Sequence, residues 1–225
     1  MDTAGDRLAR IRGHRRLLLV SDVDSTFIGQ EVIELVAAYA GTREAVAAVT
    51  EAAMRGELDF AESLRARVAT LAGLPREVLD TVREEVTLTP GAAELVAWAR
   101  EHGHVVALVS GGFHEVVDPI AAAQGIVHVR ANRFEVAGGR LTGRVAGRIV
   151  DRAEKAAALL EFAAAERIPK EATVAIGDGA NDLDMMAIAG LGIAFGAKPI
   201  VAERADVALA GPRLDDVIGV LAHDT

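Results

Sequence analysis

Four aliphatic residues, Leu17 to Val20, run straight into Ser21-Asp22-Val23-Asp24-Ser25-Thr26. This is a short strand whose apolar support ends abruptly in polar chemistry. The pattern recurs twice. Val105 to Val109 leads into Ser110-Gly111-Gly112, and Thr173 to Ile176 leads into Gly177-Asp178-Gly179-Ala180-Asn181-Asp182. Helical stretches separate these strands, and strands alternating with helices favour an α/β fold built on a mostly parallel sheet. In such folds reactive side chains gather at strand C-terminal ends, where they converge without disturbing the apolar core. All three segments meet that condition.

Between the first strand and the second the pattern is helical from Glu31 to about Val86, with Asp59 placed to cap a helix over Phe60 to Leu71 and Pro75 near the next helix start. Thr89 and Pro90 can cap and begin a helix running towards Arg100. Val127 to Val129 and the Gly138-Gly139 turn suggest further extended structure, and Asp151 with Glu154 reads as a capping box for a helix through about Glu166. A short helical segment follows Asp182, and Ile193 to Phe195 and Val207 to Leu209 are later strands. With no repeat or long low-complexity linker, the expected organisation is a core of residues 17–30 and 87–225, an inserted helical unit at 31–86, and a basic extension at 1–16.

Composition limits the partners. The 225 residues are 51% hydrophobic and 25% charged, enough apolar material for a substantial core, but only 4% aromatic, which leaves little for base-stacking platforms. The net charge of −9 disfavours broad nucleic-acid binding, which needs concentrated positive charge, while permitting a local anion pocket. The absence of cysteine removes disulfides, thiolate nucleophiles and cysteine-ligated metal centres. No apolar run approaches the roughly 18 residues of a membrane helix, and Leu17 to Val20 is too short for a secretory core, so cytoplasmic residence is the simplest expectation. The first 16 residues carry five arginines against two aspartates, and Arg12, His14, Arg15 and Arg16 read as a frayed, solvated end.

The acidic residues carry the chemistry. Asp22 and Asp24 lie two apart and can share one side of a strand end, and Asp178 and Asp182 form a second acidic cluster after another strand. Several carboxylates at one site repel one another unless a cation compensates, and hard oxygen donors suit Mg²⁺, whose shell phosphate oxygens can complete. Plainer readings stand beside this one. Asp22 to Thr26 can be a turn and helix start, with Thr26 capping the next helix and Ser25 undecided. Ser110-Gly111 can be a strand-ending turn, and Lys155 can pair with Asp151 on a surface. Glu31 can be a helix-start acid, Arg67 a solvated helix residue, Met54 and Phe60 packing residues, and His114 a helix-start side chain.

The order Asp22-Val-Asp-Ser-Thr26, Ser110-Gly111, Lys155 and Gly177-Asp-Gly-Ala-Asn-Asp182 resembles the haloacid-dehalogenase-like phosphotransferases, and within them the phosphoserine phosphatases, from about Leu17 to Leu209. The resemblance implies a Rossmann-like haloacid-dehalogenase core with an inserted helical cap. It implies Asp22 as nucleophile and Asp24 as acid and base, with Mg²⁺ held by Asp22, the Asp24 backbone carbonyl and Asp178, and Asp182 behind a metal-bound water. Ser110, Gly111 and Lys155 would hold the phosphoryl group, with Asn181 supporting that scaffold. Glu31 would meet the substrate ammonium and Arg67 its carboxylate, with Met54 and Phe60 closing over it. The implied substrate is O-phospho-L-serine and the products L-serine and phosphate. Another small phosphomonoester, phosphoryl transfer to an alcohol, and a noncatalytic phosphoamino-acid sensor are the alternatives. A homodimer is allowed, and the short leader leaves no room for the N-terminal regulatory domains of some family members.

Overall fold

A computed structural model describes residues 3–54 and 59–222, excluding the side chains of Ala53 and Met54. The chain runs α1 (Ala4–Arg12), β1 (Leu18–Ser21), α2 (Val32–Tyr39), α3 (Arg43–Met54), α4 (Phe60–Ala69), α5 (Val78–Glu85), α6 (Ala92–Glu101), β2 (Val105–Phe113), α7 (His114–Ala123) and β3 (His128–Asn132). It continues through β4 (Phe134–Ala137), β5 (Arg140–Val145), α8 (Arg152–Ala165), β6 (Thr173–Gly177), α9 (Leu183–Ile188), β7 (Leu191–Phe195), α10 (Pro199–Ala202), β8 (Val207–Leu209) and α11 (Asp216–Leu221).

Six strands form one sheet in the order β3-β2-β1-β6-β7-β8, with every neighbouring pair parallel. Parallel sheets need helical crossovers, which cover both faces; accordingly all four residues of β1 are buried. Leu18, Leu19 and Val20 are fully buried, each contributing about 1.5–3 kcal/mol of transfer free energy. β1 sits between β2 and β6, and Ser21 is level with Leu108 on one side and Ile176 on the other. That register puts Asp22, Ser110 and Asp178 just past one edge of the sheet, where the strand order reverses and crevices form.

Four helices, α2 to α5, lie between β1 and the helix that precedes β2. Asp59 caps α4 as the sequence suggests, accepting from the Glu62 N–H at 2.9 Å. The Gly138-Gly139 turn joins β4 to β5, and both glycines have positive φ (57° and 74°), the conformation a tight hairpin turn of this type requires. Residues 73–76 pack against this hairpin through backbone hydrogen bonds, and Pro75 pairs with Arg140 rather than beginning a helix; α5 starts at Val78.

Four further expectations are corrected. α6 begins at Ala92, not Pro90, because Gly91 takes a left-handed φ of 85° before the helix and Pro90 lies outside it. β2 does not stop at Ser110 but continues to Phe113 through a break in register. Asp151 caps α8 by accepting from Glu154 N–H at 2.9 Å, but the Glu154 carboxylate is bonded to Arg130 and Arg148, so the reciprocal half of the capping box is not made. The N-terminal segment is not frayed. A capping box between Thr3 and Asp6 starts α1, Ile11 is buried, and Arg7 reaches Gly190 O at 3.0 Å and Asp206 at 2.9 Å. Arg16 binds Glu166 through its backbone carbonyl (2.8 Å) and carboxylate (2.6 Å). Among the described residues no helix is long and apolar enough to cross a membrane.

Candidate active site

Asp22 follows the last residue of β1 and is 4% exposed. Its carboxylate is bonded to the ammonium of Lys155, which also donates to Asp182 Oδ1 at 2.6 Å. Lys155 and Asp182 are wholly buried, so the plain surface pairing of Lys155 with Asp151 is ruled out: the Asp151 side chain caps α8 and Lys155 turns inward. The second Asp182 oxygen accepts the Gly179 N–H at 3.1 Å. Gly177 permits this closeness, since a Cβ there would lie 2.4 Å from the Asp182 carboxylate.

Asp22, Asp178 and Asp182 each offer an oxygen within 4.8 Å of the others. Burial pushes the Asp22 carboxyl well above the usual range; Lys155 opposes this, and Asp182, Asp178 and Asp24 add to it. Asp178, partly buried, is pushed up to about 7, first by burial and then by Asp182. For Lys155 burial works against the charge, but Asp182 and Asp22 outweigh it and raise the ammonium. The cluster therefore holds more negative charge than one lysine neutralises, and its hard oxygen donors fit a divalent cation.

Asp24 stands apart from that cluster. Its Oδ1 accepts the backbone N–H of Val32 at 2.7 Å, and its Oδ2 accepts the Ser110 hydroxyl at 2.9 Å. Burial raises its pKa, opposed by those two hydrogen bonds. The N-cap residue of α2 is Glu31, and it is Asp24, not Thr26, that accepts the first N–H of the helix; Thr26 is buried, with its hydroxyl 3.4 Å from Asp178. Ser110 is fully buried and accepts from Gly112 N–H at 2.7 Å. The Ser110-Gly111-Gly112 segment is consequently part of the site, not a plain turn.

Across the cleft, Glu31 accepts the Ser25 hydroxyl at 2.6 Å, and burial followed by the Asp24 charge pushes its carboxyl well above the usual range. Arg67 is 5% exposed, which overturns its solvated alternative. Burial lowers its pKa, while Glu31, Asp24 and Glu34 pull the other way. Its Nε donates to Ser63 O (3.2 Å), one terminal nitrogen to Thr50 Oγ1 (2.8 Å) and the other to Ser63 Oγ (3.5 Å). One N–H remains on each terminal nitrogen, the number a carboxylate takes in a paired contact. Phe60 lies against Gly111: a Cβ on that glycine would be 2.7 Å from the ring.

These groups gather around one cleft, which Asn181, Ile33 and Leu64 also line. Of the expected site residues, the cleft brings together Asp22, Asp24, Glu31, Phe60, Arg67, Gly111, Asp178 and Asn181, with Ser110, Lys155 and Asp182 bonded directly behind it. Met54 ends α3, and its side chain lies outside the described residues. His114 starts α7 and bonds Asp118 at 2.6 Å, away from the cleft. Sequence reasoning missed Thr50, Ser63 and Asn132, buried polar residues whose partners are distant in the chain or on another turn.

A buried carboxylate at the end of the central strand, with a buried lysine and an acidic cluster beside it, defines the class. The pattern of haloacid dehalogenase-like hydrolases matches residues 19–187, and the chain belongs to that family. Within it, the chain is 57% identical to a phosphoserine phosphatase of Streptomyces coelicolor over 92% of its own length and 51% of that protein. It is 50% identical to a phosphoserine phosphatase of Streptococcus thermophilus over 91% of its length and 95% of that protein. The chain thus spans about half the length of the first relative and nearly all of the second. A solved structure of a phospho-aspartyl intermediate analogue of phosphoserine phosphatase superposes with a TM-score of 0.90 at 40% identity, covering 93% of this chain and 100% of that one.

Proposed function

We propose that this chain hydrolyses O-phospho-L-serine to L-serine and inorganic phosphate through an aspartyl phosphate on Asp22. The observation that carries the reading is the cleft itself. At one end stand a nucleophilic carboxylate and an acid–base carboxylate; at the other, Glu31 and Arg67 carry the charges complementary to an amino acid's ammonium and carboxylate. Likeness to phosphoserine phosphatases over most of the chain supports the same substrate.

In the first step an Asp22 oxygen attacks phosphorus, the bond to the serine oxygen breaks, and Asp24 gives that oxygen its proton. In the second step Asp24 takes a proton from water, the water oxygen bonds to phosphorus, the bond from phosphorus to the Asp22 oxygen breaks, and inorganic phosphate leaves the regenerated carboxylate. Lys155 supplies positive charge opposite the phosphoryl group, and the Ser110-Gly111 segment forms the wall beside it. Mg²⁺, held by Asp22, the Asp24 carbonyl and Asp178, would screen the repulsion between the attacking carboxylate and the phosphate dianion. Asp182 fixes Lys155 and the Gly179 turn, and would stand behind a water on that ion; Asn181 supports the same wall. Residues 31–86 serve as a cap, with Phe60 over Gly111. A chain without cysteine suits such chemistry in a reducing cytoplasm.

The test is kcat/KM for O-phospho-L-serine against phosphoethanolamine, which lacks the carboxylate, and phosphoglycolate, which lacks the amine. A clear preference for phosphoserine is expected. Equal turnover of all three would refute the assignment of Glu31 and Arg67.

A further inference from the structure

In the ladder between β2 and β3, Val109 pairs with Arg130 and the next pair is Phe113 with Asn132. Three residues of β2, Ser110 to Gly112, therefore stand opposite one residue of β3, and the pairing of β2 with β1 has already ended at Leu108. The bulge turns the segment into the cleft, but it also takes the Gly111 carbonyl out of the ladder. A single side chain meets that carbonyl: Asn132 donates from Nδ2 to Gly111 O at 2.8 Å. Its Oδ1 accepts the Val150 N–H at 2.8 Å, and the residue is 1% exposed. Asn132 thus ties the bulge to the turn from which Asp151 caps α8, the helix that presents Lys155.

The consequence lies at the other end of the same peptide. In a trans peptide the C=O and N–H point opposite ways, so holding the Gly111 carbonyl outward aims the Gly112 N–H inward. That N–H donates to Ser110 Oγ at 2.7 Å, and the hydroxyl in turn donates its one hydrogen to Asp24 Oδ2 at 2.9 Å. Gly112 admits no side chain, since a Cβ would lie 2.5 Å from Asp24 Oδ2. Two successive glycines let the peptide between them turn over at little steric cost, so its direction must be held from outside. We propose that Asn132 is a positioning residue which fixes the Gly111–Gly112 peptide and, through the Ser110 hydroxyl, aims the Asp24 carboxyl at the leaving-group oxygen. This rests on the phosphatase reading above.

The test separates proton donation from phosphate binding. The kcat/KM of each substrate reports the steps through loss of the leaving group. A serine oxygen needs a proton to depart; a p-nitrophenolate does not. Asn132→Asp keeps the acceptor for Val150 N–H but replaces the donor with an oxygen facing the Gly111 carbonyl, and Asn132→Ala removes both contacts. In these variants kcat/KM for phosphoserine should fall about tenfold or more, part of what a positioned general acid supplies, while kcat/KM for p-nitrophenyl phosphate changes little. Thermal unfolding monitored in parallel identifies the folded variants; where the aspartate variant does not fold, the alanine variant gives the ratio. Equal losses for both substrates, or no loss for either, overturn the proposal. Failure of the wild-type protein to turn over phosphoserine while hydrolysing the aryl ester would instead count against the substrate reading.

Discussion

Replacing Lys155 by Met tests how the site is held together. The change keeps the long stem and most of its packing, but removes the ammonium that bonds both Asp22 and Asp182. All three groups lie in the buried wall of the cleft, at 0–5% side-chain exposure, so solvent cannot take over the lost charge. Removing one partner of a buried ion pair costs about 3–5 kcal/mol, because the remaining carboxylates stay desolvated and unpaired. At about 2–4 °C per kcal/mol for a domain of this size, the midpoint of thermal unfolding should drop by about 6–20 °C in chelator at pH 8. A divalent cation held by Asp22 and Asp178, with Asp182 close by, supplies positive charge to the same cluster, so excess Mg²⁺ should recover more stability in the variant than in the wild type. Differential scanning calorimetry with and without Mg²⁺ measures both. A drop below about 2 °C, or one that the ion does not alter, would refute the account of Lys155 as the charge holding the cluster together.

Two more outcomes follow from the same geometry. Asp178 has a folded pKa raised to about 7 from 3.8, so the native state holds the proton more tightly than the unfolded chain between those values. Its contribution is fully present below about pH 4 and lost as pH rises through about 7, so metal-free protein should lose stability across that window. Titration calorimetry should correspondingly find Mg²⁺ binding weakening below about pH 7, as the ion competes with that proton; pH-independent affinity would contradict this. Arg67→Lys keeps the charge but loses the fork whose two free N–H groups face the cleft, so KM for phosphoserine should rise by about tenfold to a hundredfold with a smaller change in kcat. Steady-state kinetics gives the split, and an unchanged KM would remove Arg67 from substrate binding.

What the sequence made legible is local. An aliphatic run ending in Asp22, another ending before Asp178, the Asp59 cap and the paired glycines of the hairpin each declare themselves within a few residues, because strand burial, capping and turn geometry are short-range physics. The mostly parallel character of the sheet follows from the alternation of strands and helices. What stayed hidden depends on partners distant in the chain. Asp24 takes the first N–H of α2 from eight residues upstream, and Asn132 reaches Gly111 across 21 residues. The basic leader read as solvated because Arg7 finds its partners 182 to 199 residues away, where no periodicity in α1 could announce them. Glu154 left its capping box for two arginines, a tertiary contact outweighing a local motif. Arg67 read as exposed because a single helical position gives no sign of Thr50 waiting 17 residues before it.

The central claim is that Asp22 is the covalent nucleophile of a phosphoserine hydrolase. It is tested most directly by acid quench of the protein during turnover of O-phospho-L-serine with Mg²⁺, followed by peptide mass spectrometry. Phosphate should be found on Asp22 in the wild type, with steady phosphate release, and Asn in its place should abolish both while the fold persists. Undiminished multiple-turnover phosphate release by Asp22→Asn, or label on another residue, would contradict the account.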